Sequence, residues 1–135
     1  MNLDLFMAYP ASNNLRPIQI NFGAYGGSDD DEFKHELVIL MSNSVQELKE
    51  AAVQALAVNQ PDIFRKAAHK AKSTLVLLGD EDFMDCVEQL RIDMSTNEQN
   101  GSVHVNDQNL NKFLFLSGSI IISLETEAAS IKPSY

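Results

Sequence analysis

The stretch richest in chemistry runs from Phe64 to Gly79 and centres on His69. Arg65, Lys66, Lys70 and Lys72 surround it, so four of the ten basic residues fall within eight positions of a chain whose net charge is −9. Wound as a helix at about 100° per residue, Phe64, Ala67, Ala68, Ala71, Thr74, Leu75 and Leu78 gather on one side. Arg65, His69, Lys72, Ser73 and Val76 gather on the other. His69 lies about 160° from Ala71, the centre of the apolar stripe, and is predicted to face outward with cations on both flanks. At neutral pH a solvated imidazole offers an unprotonated ring nitrogen that can act as a nucleophile. Lys72, three residues on, shares that face and can neutralise oxygens of a phosphoryl group. Ser73 is small and Val76 apolar, which lets another protein's surface approach. The patch suits a phosphate or a carboxylate-rich partner. The same pattern also describes an ordinary solvated helix face, so the wheel predicts exposure rather than use.

Helical elements must position this stretch, and their signals are strong. Ser28-Asp29-Asp30-Asp31-Glu32 places a capping residue and acids where a helix N-terminus favours them. Phe33, Leu37, Leu40, Met41, Val45, Leu48, Ala52, Ala55 and Leu56 then recur with helical spacing, predicting one long amphipathic helix that ends near Asn59. Ser42-Asn43-Ser44 is a point where it could bend. Pro61 suits the first position of the next helix, which runs to about Leu78, with Gly79 as its left-handed C-terminal residue. Asp80 can cap a third helix carrying Phe83, Val87 and Leu90, with Met84 and Cys86 read as packing residues. Ser95 to Asn106 reads as a loop around Gly101.

The last segment supports two readings. Leu110, Leu114, Ile121, Leu124 and Ala128 fit a helical stripe, whereas Phe113 to Leu116, Ser117-Gly118 and Ser119 to Ile122 fit a tight hairpin. A fourth helix is the choice consistent with three others, because an isolated hairpin is marginal. The expected architecture is an all-α, up-down four-helix bundle over residues 29–130. An irregular arm precedes it over 1–28, rich in proline, glycine and asparagine, and a short tail follows over 131–135.

Composition narrows the function. At 135 residues and 44% hydrophobic content, the chain is of a size for one domain with its own core. Nineteen acids against ten bases argue against a nucleic-acid or anionic-membrane binder. The apolar run Phe113 to Leu124, about 12 residues, is short for a membrane span. Met1 to Met7 has no basic leader segment, and the lone Cys86 gives no internal disulfide, so a cytoplasmic protein is expected.

Other motifs are weak. His35, His69, His104 and Cys86 lack zinc-ligand spacing, so no metal site is expected. Gly23-Ala24-Tyr25-Gly26-Gly27 does not follow the dinucleotide-binding glycine pattern, and Asp29 to Glu32 does not follow calcium-loop spacing.

The run Ala68-His69-Lys70-Ala71-Lys72-Ser73, with Gly79 ten residues after the histidine, resembles the signature of histidine-containing phosphotransfer (HPt) domains of multistep phosphorelays. The surroundings are similar too: an acidic-started long helix, the Asn59-Gln60-Pro61-Asp62 break, the histidine helix and a further amphipathic helix, over about residues 29–129. Two positions depart from the usual pattern, Ser73 where the family generally has glycine and Ala71 where it has a larger aliphatic residue. The resemblance implies that His69 accepts a phosphoryl group from the aspartate of a response-regulator receiver domain and passes it to another. Lys72 would stabilise the phosphate, with Gly79 structural. Partner contacts would come from Arg65, Lys66, Lys70, Ser73 and Val76. It implies a monomeric phosphotransfer intermediate rather than a stand-alone enzyme, with a hybrid sensor kinase upstream. No cofactor belongs to this chain, Mg²⁺ being supplied by the receiver. A non-phosphorylated adaptor docking on receivers is the runner-up, and a structural helical module unrelated to signalling is third.

Overall fold

The computed structural model describes residues 31–96 and 103–131, and all of their regular structure is helical. The five helices are α1 (Asp31–Ala57), α2 (Pro61–Lys70), α3 (Lys72–Leu78), α4 (Glu81–Thr96) and α5 (Asp107–Ser130). The expected arm over 1–28 and the tail beyond Ile131 lie outside the described residues, as does much of the loop before Val103.

α1 begins with Asp31 and Glu32, whose charges complement the helix N-terminus. It buries Val38, Met41, Val45, Leu48, Ala52 and Ala55, one face at three- and four-residue steps. Ser42-Asn43-Ser44 does not interrupt it. Leu40, expected on the core face, is instead 64% exposed, because it falls outside the arc set by Met41 and Val45. The helix stops at Ala57, and Asn59 takes φ 55°, a left-handed turn that lets Pro61 start α2.

The predicted second helix is two segments. α2 and α3 meet at Ala71, which keeps right-handed φ and ψ of −82° and −1°. The bonds from Ala71 N–H to Ala67 O (2.9 Å) and from Leu75 N–H to Ala71 O (3.0 Å) persist, so the axis carries on past the break. Gly79 closes α3 in the left-handed conformation, as its place in the sequence predicts. Asp80 then caps α4, its Oδ1 accepting from Phe83 N–H at 3.1 Å.

The segment open to two readings is a helix. Phe113, Leu116, Ser117, Ile120, Ile121, Leu124 and Ala128 are buried at helical intervals along α5. Ser117, which could have opened a hairpin turn, donates its hydroxyl to Leu114 O at 3.1 Å within the helix, a local bond that serine makes readily. At 24 residues α5 is long and apolar enough to cross a membrane by length and composition alone. Here it packs along α1 and α4.

The helix pairs close a ring: α1 lies on α5 and α2, and α4 lies on α5 and α2. At the centre Phe113 of α5 meets Phe64 of α2 edge-on (5.7 Å, 88°) and Phe83 of α4 in a stack (5.8 Å, 12°). All three rings are fully buried. Each contributes about 1.5–3 kcal/mol through burial. Polar bonds fasten the ends. Asn106 caps α5 by accepting from Gln108 and Asn109 N–H, and Asn59 Oδ1 accepts from Val103 N–H at 3.1 Å. Burial pushes the Asp93 carboxyl up, but bonds from Asn109, Gln89 and the Asn106 N–H outweigh it and hold it below its usual range, because each favours the charged form. Its stabilisation is therefore present above the ordinary aspartate range and lost as pH falls through the lowered value.

Candidate functional site

His69 is exposed on the last turn of α2, and the buried side of the same helix fixes that orientation. Phe64 and Ala71 are buried and Ala67 and Ala68 are partly buried, so the opposite face must open to solvent. Beside His69 runs a groove of about 490 Å³ between α2–α3 and α4. One wall carries Arg65, Ala68, His69, Lys72, Leu75 and Val76, the other Met84, Asp85, Val87, Glu88 and Arg91.

The groove divides the predicted basic cluster. Arg65, Lys72 and Val76 fall to one side of His69 around the helix axis, and all three line the groove. Ser73, Lys66 and Lys70 fall to the other side, and none lines it. Lys70 instead reaches α1, its Nζ 3.1 Å from Glu47 Oε2. Ser73 and Lys66 are exposed on that flank. The structure thus brings together His69, Lys72, Arg65 and Val76, and sets Lys66, Lys70 and Ser73 behind them.

Charges within the groove are partly spoken for. Arg65 Nη2 is 2.9 Å from Asp62 Oδ1, one turn back. Arg91 donates from Nε to Glu88 Oε2 at 2.9 Å and from its terminal nitrogen to Oε1. Those hydrogen bonds hold the Glu88 carboxyl below its usual range and raise the Arg91 guanidinium, since both favour the charged partner. Lys72 has no carboxylate partner among the described residues. Val76 is 62% exposed and Met84 37%, so the site has a wet apolar lip.

Four lining residues escape the sequence reading: Met84, Asp85, Glu88 and Arg91. The sequence suggests that Met84 packs in the core beside Cys86, and only Cys86 does so. The signal for the others is their spacing along α4, but the wheel of one helix cannot say which neighbour it faces. Cys86 is buried and pushed up to about 11 by that burial, with Lys112 opposing in part, so it is no nucleophile at neutral pH. Among the described residues no group of histidine, cysteine and carboxylate side chains could hold a metal ion.

The arrangement presents a solvent-accessible imidazole, a neighbouring ammonium with no carboxylate on it and an apolar lip on one open face. Such a site can receive a phosphoryl group from a donor carried on another protein, with charge neutralisation from Lys72. Compared with protein-family models, curated proteins and solved structures, the chain finds no match.

Proposed function

We propose that the chain is a histidine phosphocarrier of the HPt type, relaying a phosphoryl group between receiver-domain aspartates, with His69 as the acceptor. The observation that carries this reading is the exposed His69 on the wall of an open groove, with Lys72 and exposed Val76 beside it. The ring of helices is consistent with the up-down four-helix bundle of that family, α2 and α3 together forming its histidine helix.

In the proposed step a ring nitrogen of His69 attacks the phosphorus of an aspartyl phosphate. The new N–P bond forms as the O–P bond breaks, and the electron pair leaves with the aspartate carboxylate. Transfer back to a second aspartate is the reverse. Phosphoryl transfer passes through a loose, in-line transition state, so the protein contributes position and charge rather than covalent chemistry. His69 is held by a buried helix face, Lys72 offsets charge on the equatorial oxygens, and Val76 and Met84 give the donor an apolar seat. The receiver supplies Mg²⁺ and the acidic pocket. In this reading the protein is a phosphorylated intermediate working as a cytoplasmic monomer.

The test is phosphoryl transfer from receiver domains loaded with acetyl phosphate and Mg²⁺ to the protein and to His69→Gln. An acid-labile, base-stable phosphate on the wild type and none on the variant is the expected result. Binding of receivers without labelling would replace the carrier by an adaptor. Neither labelling nor binding across several receivers would dismiss the resemblance as accidental.

A further inference from the structure

We infer that Asp85 selects which receiver domains dock at His69, by pairing with a lysine or arginine on the receiver's docking surface. The inference rests on the carrier reading. Much of the charge along the groove is already engaged: Arg65 is held by Asp62, and Glu88 and Arg91 hold each other. Besides His69, two groups remain without an ion-pair partner among the described residues, Lys72 on α3 and Asp85 on α4. They are opposite in sign and stand on opposite walls, with Val76 and Met84 exposed along the same groove.

Helix capping does not account for Asp85. Its α4 already has Glu81 and Asp82 in the first turn, and the favourable effect of the helix dipole fades beyond it. Nor does the residue pair within its own helix, as Glu88 does with Arg91. What Lys72 and Asp85 give is polarity across the groove. A partner seated with its acidic, phosphoryl-bearing pocket toward Lys72 and an apolar side chain on Val76 and Met84 presents its next contact to Asp85. A cation there completes the match, and an acid there meets like charge. Complementary rim charges mainly raise the rate of productive encounter and reject wrong partners, which is what selection among similar receivers requires.

The experiment measures transfer rates from a panel of acetyl-phosphate-loaded receiver domains to wild type, Asp85→Asn and Asp85→Lys, at low and high ionic strength. Labelling of His69 by phosphoramidate, a small donor with no docking surface, runs in parallel. Asp85→Lys is expected to slow the fastest receivers about tenfold at low salt, with Asp85→Asn between, and the gap should shrink as salt screens the pair. A glutamate placed at the facing cation of the receiver should restore transfer to Asp85→Lys. Phosphoramidate labelling should stay within about twofold of wild type, because no partner surface is involved. Rates unchanged across the panel overturn the role of Asp85 and leave the carrier reading intact. An equal loss with phosphoramidate also overturns it, since the residue would then act on His69 or on folding. A wild type labelled by phosphoramidate but by no receiver overturns the carrier reading, and this inference with it.

Discussion

The two flanks of the His69 helix each carry two cations, yet those cations meet different surroundings. On the α1 flank, Lys70 is committed to Glu47, with Lys66 and Ser73 beside it. On the α4 flank, Lys72 overlooks a groove with an apolar lip and has no carboxylate partner among the described residues. Of four cations that look equivalent along the chain, Lys70 and Arg65 thus pair with the protein's own acids Glu47 and Asp62, whereas Lys72 lines the groove with no carboxylate on it among the described residues. Clustering of charge in a sequence marks a region. Which charge works there depends on the helix each one faces across the surface.

The change expected to erase the distinction most completely is Phe64→Ala. This ring anchors α2 against Phe113 beneath both flanks. Its loss should cost about 3–5 kcal/mol, measurable as a lowered denaturant midpoint. Helical signal and transfer should fall together as the groove wall loosens. The sharper comparison is Lys72→Ala against Lys70→Ala. If the protein is the proposed carrier, removing Lys72 should slow phosphoryl transfer about 10- to 100-fold with folding unchanged, since it takes away the charge proposed to offset the transferring group. Removing Lys70 breaks an exposed ion pair. That should change stability by less than about 1 kcal/mol and transfer by less than about twofold. Equal losses from the two would show that the flanks do not differ. Gly79→Ala should leave the comparison untouched altogether. Among the described residues no atom beyond its immediate chain neighbours lies within 4 Å of the position its Cβ would take, so only the left-handed backbone is penalised. Chemical denaturation should register that strain as a loss of about 1 kcal/mol. Transfer per folded molecule should be retained.

Much of this architecture is legible in the sequence because it is local. The Pro61 start, the Gly79 stop and the Asp80 cap are decided within a turn or two of the chain, and the structure has each where its residue type demands. The outward direction of His69 follows likewise from the apolar residues on its own helix. Leu40 and Met84 show where such reading ends. Both belong to apolar-rich stretches, yet both are exposed, since each falls roughly 100° around its own helix from the centre of the buried arc, and apolar type without that phase does not place a residue in the core. Ser117-Gly118 imitates a hairpin turn, and only the burial of residues on both sides at helical intervals decides for α5. The α4 wall of the groove is the least legible part. Its position is set by the turn at Gly79 and the aromatic contacts among Phe64, Phe83 and Phe113, which no periodicity contains.

The buried Cys86 has a practical side. Its thiol is pushed up to about 11. Only on the order of one molecule in ten thousand therefore carries a thiolate there at neutral pH. The native protein should accordingly react only slowly with alkylating and thiol-exchange reagents at neutral pH. A fluorophore or spin label introduced through a cysteine at exposed Ser73, outside the groove lining, would report from that position almost alone, and could test for the proposed docking of a receiver domain in real time.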